Sequence, residues 1–294
     1  MRIASVVGAG LAPARRFRLL RRSMLGKGSL SKKRIVLTRT PEQSEILRDE
    51  LTESGAQVIV LPFIEFRPPD PYGPLDAALS HLAEFDWLVF TSRNAIRFFS
   101  CRLRELGLEL ASPPAPRPKI VALGEATSDA AAKEGLAADL VTRDARSGRE
   151  FVAEFSQNAR GNKILLPQSD QAAPHVAEGL RKAGGSVTAV VAYRTCMPES
   201  LDGEKLDGIR RDGADAFVFA SPSAFRNFAR KVGTVDLKRF AKHSAFVAIG
   251  PTTAQAIREA GVRVEIEAAR PNSGEIVNAM IEYFSARERA KAGR

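Results

Sequence analysis

Short runs of branched aliphatic residues alternate along this chain with stretches whose apolar positions recur every three or four residues. Arg34-Ile35-Val36-Leu37-Thr38 reads as a strand, about Glu42 to Ser54 as an amphipathic helix stopped by Gly55, and Gln57-Val58-Ile59-Val60-Leu61 as the next strand. The same βαβ pattern returns at Lys163-Ile164-Leu165-Leu166-Pro167, a helix over about Ala172 to Ala183, Gly184-Gly185 and a strand from Ser186 to Val191. After each unit come a helix, a strand (Trp87 to Thr91; Ala216 to Ala220), a second helix and a strand ending at Gly124 or Gly250. A third helix, a short strand near Ala138 to Val141 or Arg263 to Ile266, and a last helix complete each round. Strands that alternate with helices in this way predict parallel sheets covered by helices on both faces.

The recurrence is a duplication. Phe85-Asp86-Trp87-Leu88-Val89-Phe90-Thr91-Ser92-Arg93-Asn94-Ala95 and Ala214-Asp215-Ala216-Phe217-Val218-Phe219-Ala220-Ser221-Pro222-Ser223-Ala224 stand 129 positions apart. Ile35-Val36-Leu37 keeps that offset to Ile164-Leu165-Leu166, and Val121-Ala122-Leu123-Gly124 meets Val247-Ala248-Ile249-Gly250 at 126. A period this long exceeds a solenoid repeat, so each copy has the size of a lobe with its own core. Two similar lobes around one cleft are expected. The rhythm breaks at two equivalent places, Pro62-Phe63-Ile64-Glu65-Phe66-Arg67-Pro68-Pro69 and Val191-Ala192-Tyr193-Arg194-Thr195-Cys196-Met197-Pro198. Each is an extended run stopped by proline with no turn chemistry inside it, as suits a segment bridging two bodies. If both bridge, the middle of the chain is one lobe and the two ends fold together as the other; a tandem split near residue 160 is the alternative the repeat leaves open.

The formal net charge of +10 suggests a nucleic acid or an anionic membrane until the charge is located. Residues 1–34 hold ten Arg and Lys and no acid, which leaves 34 basic against 34 acidic residues in the rest. The basic signal therefore belongs to the N-terminal stretch, and no nucleic-acid partner is expected. That stretch places its apolar residues ahead of its arginines, the reverse of a secretory signal, and reads as a targeting segment, a basic arm, or sequence upstream of a true start at Met24. No apolar run reaches the ~18 residues of a membrane span. A cytoplasmic protein, without membrane contact, is the expectation. Cys101 and Cys196 lie far apart, and His81, His175 and His243 are scattered, so no disulfide and no metal site are expected. Ser112-Pro113-Pro114-Ala115-Pro116-Arg117-Pro118 reads as a rigid surface loop.

In open parallel sheets ligands bind beyond the carboxyl ends of the strands, where helix N-termini offer unpaired N–H groups. The residues there are Thr38-Arg39-Thr40, Thr91-Ser92-Arg93-Asn94, Gly124-Glu125-Ala126-Thr127, Gln168-Ser169, Ser221-Pro222-Ser223 and Gly250-Pro251-Thr252-Thr253. Small hydroxyls and glycine let an anionic ligand approach the backbone, although each hydroxyl taken singly is also what a helix start needs as its cap. No GxGxxG, GxxxxGK[ST] or GxSxG pattern occurs, and the histidines are too few and too scattered for a nucleophilic triad. Differences between the copies carry more information: Tyr193 stands where the other copy has Ile64, and Arg39 where it has Gln168. A phenol on a bridging strand can reach a cleft and donate a proton. A half-buried strand aromatic with a hydrated hydroxyl is the alternative.

On these residues the chain resembles the uroporphyrinogen-III synthase family. The resemblance rests on Ile35-Val36-Leu37-Thr38-Arg39-Thr40, Leu61-Pro62-Phe63-Ile64, Phe90-Thr91-Ser92-Arg93-Asn94-Ala95, Val191-Ala192-Tyr193-Arg194-Thr195, Phe219-Ala220-Ser221-Pro222-Ser223-Ala224 and Ala248-Ile249-Gly250-Pro251-Thr252-Thr253-Ala254. It covers about residues 34 to 285; the proline that usually follows the Thr-Arg pair is displaced here by Thr40. It implies an α/β fold of two similar lobes, each a parallel sheet flanked by helices, joined by a two-stranded bridge. The boundaries that follow are a basic, disordered extension over 1–33, a discontinuous outer lobe of 34–64 plus 195–294, and an inserted lobe of 65–194. The implied activity is a lyase reaction of tetrapyrrole biosynthesis, cyclising hydroxymethylbilane to uroporphyrinogen III with inversion of the last pyrrole ring and loss of water, without a cofactor. Tyr193 is the implied proton donor. Thr38, Arg39, Ser92, Asn94, Gly124, Ser221, Ser223, Gly250, Thr252 and Thr253 are the implied contacts of the substrate's carboxylates. A monomer in transient contact with the enzyme that makes hydroxymethylbilane is expected. The competing reading is a two-lobe protein that binds a tetrapyrrole or another polyanion without converting it.

Overall fold

A computed structural model describes residues 29–110, 117–143, 145, 147–268 and 272–292. The first part of the chain forms β1 (Arg34–Leu37), α1 (Pro41–Glu53), β2 (Gln57–Val60), β3 (Glu65–Arg67) and α2 (Gly73–Ser80). Next come β4 (Trp87–Phe90), α3 (Arg93–Glu105), β5 (Lys119–Leu123), α4 (Glu125–Lys133), β6 (Leu140–Thr142) and α5 (Gly148–Ala159). The second round comprises β7 (Lys163–Ser169), α6 (His175–Lys182), β8 (Ser186–Cys196), α7 (Gly203–Asp212) and β9 (Ala216–Phe219). It closes with α8 (Pro222–His243), β10 (Ala245–Ala248), α9 (Pro251–Glu259), β11 (Ile266–Glu267) and α10 (Ser273–Ala292).

The chain divides into two compact units, one inserted into the other, with the divisions after Glu65 and after Cys196. The discontinuous unit holds a five-stranded sheet in the order β11-β10-β9-β1-β2, and the inserted unit a six-stranded sheet in the order β3-β8-β7-β4-β5-β6. Apart from the edge strand β3, the two orders are the same when strands 126 to 129 positions apart are matched. The register makes plain how the copies are used. β1 and β2 of the first copy pair, through β1 on β9, with β9, β10 and β11 of the second. β7 and β8 of the second copy pair, through β7 on β4, with β4, β5 and β6 of the first. The discontinuous unit's sheet is thus built from two strands of the first copy and three of the second, and the inserted unit's from two of the second and, counting β3, four of the first, so a tandem split near residue 160 would cut through both.

Both faces of each sheet are apolar because successive side chains alternate between two helix layers. In the discontinuous unit Ile35, Leu37, Val218 and Val247 pack under α1 and α10, where they meet Leu47, Leu51, Val277 and Met280. Val36, Phe217, Phe219 and Phe246 face α7, α8 and α9. Phe217 is the centre of that second layer, with its ring 5.0 Å from those of Phe228 and Phe240 and 5.6 Å from Phe246. In the inserted unit Leu88, Phe90, Ile120 and Leu165 lie under α2, α3 and α4, while Trp87, Val89, Val121 and Leu166 lie under α5 and α6.

The strand pairs that join the copies are fastened at their amino ends by carboxylates. Asp215 Oδ2 accepts the Arg34 N–H at 2.8 Å, and its own N–H donates to the Arg34 carbonyl, fixing β9 on β1. Asp86, 129 positions earlier, does the same for β4 on β7 by accepting the Lys163 N–H at 2.7 Å. Asp139 and Glu265 repeat the device one strand further out, accepting the N–H of Ile120 and of Phe246 at 2.8 Å. Burial works against ionisation of Asp139, yet its bonds from Arg117 and Ile120 hold the carboxyl below its ordinary value.

Several expectations are corrected. The extension lies outside the described residues as far as 28, but from Ser29 the chain is part of the discontinuous unit. Leu30 is 0 % exposed, its N–H donates to the Ser54 carbonyl at 2.9 Å, and Lys33 pairs with Glu288 at 2.8 Å. A buried leucine anchors that segment, so the unit starts ahead of residue 34. The helix expected from Ala172 begins at His175, because the Ser169 hydroxyl and carbonyl accept the N–H groups of Gln171 and Ala172 and hold a turn there. The last strand is displaced to Ile266–Glu267, since Glu265 turns its carboxylate back to Phe246. The extended run from Val191 is continuous with the strand before it: Ser186 to Cys196 is one strand, and the division between the units follows it. Most of the proline-rich loop, 111–116, lies outside the described residues.

Asp215→Ala removes a charged acceptor from a strand N–H and is expected to lower stability by about 1.5–3 kcal/mol. Asp215→Asn, which keeps an acceptor oxygen, should cost less, and urea unfolding of both variants measures the difference.

Candidate functional site

Parallel pairing puts the carboxyl ends of all the central strands of a sheet on one side, and the helices that follow them start there. In the inserted unit Ser92 caps α3: its backbone is extended and its Oγ accepts the Ala95 N–H at 3.1 Å. In the discontinuous unit Ser221 caps α8 in the same conformation, accepting the Ala224 N–H at 3.1 Å. Asn94 and Ser223 occupy the same place in the first turn of these helices and are half-buried. Gly124 and Gly250 begin α4 and α9. A Cβ at either would meet nothing within 4 Å, which leaves the backbone open to a ligand; Gly124 also needs glycine for its φ of +75°, whereas Gly250 is simply extended.

The other residues of the discontinuous unit divide. Thr252 is exposed and Arg39 half-buried, its carbonyl accepting the Ser44 hydroxyl at 3.4 Å. Thr38 and Thr253 do not offer hydroxyls to a ligand. Thr38 is 0 % exposed, and both its N–H and its Oγ1 donate to the Val218 carbonyl, the latter at 2.7 Å, so the residue fastens β1 to β9. Thr253 is 2 % exposed on the inner face of α9. Motif position identified both, but a threonine at a strand end or in a first helical turn can serve the fold instead.

Tyr193 owes its placement to a slip in register. Gln168 pairs with Val191 but Ser169 pairs with Tyr193, leaving Ala192 as an extra residue in β8. Before the slip, Val187 and Ala189 point to the α5 and α6 layer and Val190 to the α3 layer. Strict alternation would send Ala192 to the α3 layer and Tyr193 to the opposite face. The bulge puts both against α3. There the Tyr193 ring stacks on Phe98 (centroids 5.7 Å apart, 15° between planes) and meets the edge of Phe66 at 5.8 Å. Its phenol oxygen lies 3.2 Å from Ser92 Oγ.

Tyr193 is 7 % exposed, and burial is the largest influence on the phenol, raising its pKa above the ordinary value of 10.0. Hydrogen bonds from Ser92, Asn94 and Ser169 oppose this, the negative charge of Asp170 adds to it, and the net direction is up. Ser169 is itself tied into the strand ends: it donates to Asp170 Oδ1 at 3.0 Å and lies 3.1 Å from Thr195 Oγ1, while the Thr195 N–H donates to the same Asp170 oxygen at 2.9 Å.

The fold therefore gathers Ser92, Asn94 and Tyr193 into one cluster of the inserted unit, with Gly124 at the end of the neighbouring strand. In the discontinuous unit Ser221, Ser223, Gly250 and Thr252 lie at the ends of the adjacent strands β9 and β10, with Arg39 at the end of β1. Sequence reasoning missed Ser169 and Phe98 as partners of Tyr193. Ser169 ends a recognisable strand, but a bulge leaves no mark in the residue pattern, and Phe98 is one of several apolar residues on its helix. Among the described residues no group of three or more His, Cys, Asp or Glu side chains is placed to hold a metal ion, and no helix is long and apolar enough to cross a membrane.

The uroporphyrinogen-III synthase from Synechococcus elongatus is 30% identical over 245 residues, 80% of this chain and 89% of that protein. The chloroplastic uroporphyrinogen-III synthase from Oryza sativa is 25% identical over 261 residues, 87% of this chain and 82% of that one. Among solved structures, a mutant uroporphyrinogen III synthase from Thermus thermophilus has a TM-score of 0.58 at 18% identity, covering 86% of this chain and 99% of its own. The Helicobacter pylori protein has a TM-score of 0.56 at 16% identity, covering 85% and 99%. At such identities the two structures speak for the fold. The family model described as uroporphyrinogen-III synthase HemD matches residues 32–278, and with that span the chain belongs to the uroporphyrinogen-III synthase family.

Proposed function

We propose that this protein cyclises hydroxymethylbilane to uroporphyrinogen III, with Tyr193 as the proton donor. The observation that carries the reading is a buried, protonated phenol at the carboxyl edge of a parallel sheet, beside a helix start, in a chain of this family. The phenol gives its proton to the terminal hydroxyl of the substrate; the C–O bond breaks, its electron pair leaves with oxygen as water, and the methylene carbon becomes an azafulvene electrophile. The substituted carbon of the last pyrrole attacks that methylene and forms a spiro centre. Cleavage of that ring's older methylene bond and closure at its free α-carbon leave the ring inverted. The α-hydrogen released as a proton at closure restores the phenol, so substrate and product differ by one water.

Hydroxymethylbilane is already reactive and closes unaided to the uninverted isomer. The demand on the protein is therefore for orientation more than for activation, and orientation is a large source of rate where two routes compete. The hydroxyls and helix N-termini at the carboxyl edges, Ser92, Asn94, Gly124, Ser221, Ser223, Gly250 and Thr252, with Arg39, suit a substrate with eight carboxylates. Thr38 leaves that set because its hydroxyl donates to the Val218 carbonyl, and Thr253 because it is buried.

Freshly prepared hydroxymethylbilane incubated with the protein, then oxidised and resolved by isomer, should give type III porphyrin; only the type I isomer, as in buffer alone, would overturn the proposal. Tyr193→Phe should lower kcat by about a hundredfold or more if the phenol is the general acid. Turnover near that of the unmodified protein would remove it from the acid role and leave it as packing. Because the phenol's pKa lies above 10.0, the acid form persists through neutral and mildly alkaline solution. The rate limited by this group should stay level through that range and fall only on the far alkaline side, as seen in a pH–rate profile corrected for unaided closure.

A further inference from the structure

We propose that Ser92 is a positioning residue for Tyr193: its hydroxyl hydrogen is directed at the phenol oxygen, orients the phenol's own proton away from Ser92, and stabilises the phenolate after transfer. The proposal rests on the reading of Tyr193 as the proton donor and concerns how that group is held. It assigns to Ser92 a role different from contact with a carboxylate.

The argument is one of hydrogen-bond capacity. A serine hydroxyl has one hydrogen to give and two lone pairs to receive. Ser92 Oγ receives the Ala95 N–H at 3.1 Å, as an N-cap should, which fixes the side-chain rotamer. Its hydrogen is then left for the oxygen 3.2 Å away, that of Tyr193. Ser169, the other hydroxyl beside the phenol, commits its only hydrogen to Asp170 Oδ1 at 3.0 Å and receives the Gln171 N–H at 3.1 Å. Its hydrogen bond to the phenol therefore competes with the one to Asp170. Ser92 gives the phenolate a hydrogen bond that competes with no carboxylate, and it sits at the positive end of α3, which favours the same charge.

The duplication supplies an internal comparison. Ser221 has the same backbone conformation and the same 3.1 Å cap bond, but the residue 129 positions before Tyr193 is Ile64, which is buried and apolar. Ser92 and Ser221 cap equivalent helices in the two units; of the pair, Ser92 has a phenol to address.

Glycine is nearly as good an N-cap as serine, so Ser92→Gly removes the hydroxyl at a cost to the helix of only about a few tenths of a kcal/mol. The readout is the titration of Tyr193 itself, followed by fluorine NMR on the full chain labelled with 3-fluorotyrosine and assigned with Tyr193→Phe. Ser92→Gly and Ser92→Ala should move the titration further up. In unlabelled protein they should lower kcat about tenfold, the equivalent of one hydrogen bond to a charged group, with KM changed by less than about twofold. Ser92→Thr, which keeps a hydroxyl, should restore both. Ser221→Gly should leave the Tyr193 titration where it was. A Ser92→Gly titration that coincides with the unmodified protein, or an equal movement in Ser221→Gly, would overturn the proposal. The fluorine titration reads the surroundings of the phenol whether or not it is the acid, while turnover of Tyr193→Phe tests the acid role, so the two readings fail separately.

Discussion

The structure depends on the pairing of β1 with β9 and of β7 with β4. Each joins strands from different copies of the duplicated sequence, and without them the sheets fall into pieces of two or three strands. The pairs are short, three registered residues in one and two in the other, and parallel. Side chains reinforce them at their ends. Asp215 and Asp86 accept the first N–H of the neighbouring strand, and Thr38 donates at the far end of β1. A charged acceptor on a strand N–H is worth more than a neutral ladder bond, which is a physical reason for carboxylates at these positions in both copies.

That exchange decides where the candidate chemistry falls. Because β4 of one copy and β7 and β8 of the other share a sheet, Ser92 and Tyr193, 101 residues apart, can touch. The bulge at Ala192 completes the arrangement by turning the phenol onto the α3 face. A buried phenol keeps its proton, and the same burial that holds it protonated removes water that would compete for the hydrogen bonds around it. Phe98 and Phe66 provide that burial and fix the ring.

The two units show what a duplication does with spare capacity. Both retain a serine cap at the carboxyl end of the strand carrying the repeated Val-Phe motif, and both retain a glycine at the start of the next helix. Only one acquires a phenol, and the other fills the equivalent position with Ile64. The discontinuous unit spends its aromatics on the layer around Phe217 instead. Hydroxyls at equivalent motif positions also diverge: Thr38 is consumed by strand pairing, whereas the corresponding position of the other copy, Pro167, has no hydroxyl to give.

Much of this was present in the order of residues. Periodicity identified the alternation of strands and helices, the repeat indicated two like lobes, the proline-stopped runs marked where the chain passes between them, and the mismatch of Tyr193 with Ile64 singled out the one phenol that the fold buries among hydroxyls. These are local properties or comparisons along a line, and they are legible because side-chain period and turn chemistry act over a few residues. Tertiary structure alone decided the rest. Which copy's strands pair with which depends on contacts 77 residues apart in the inserted unit and 181 apart in the discontinuous one. The facing of Tyr193 depends on a one-residue slip that no composition records. Whether a threonine hydroxyl greets a ligand or a neighbouring carbonyl, as at Thr38, depends on what lies across the sheet, and a sequence does not contain that distance.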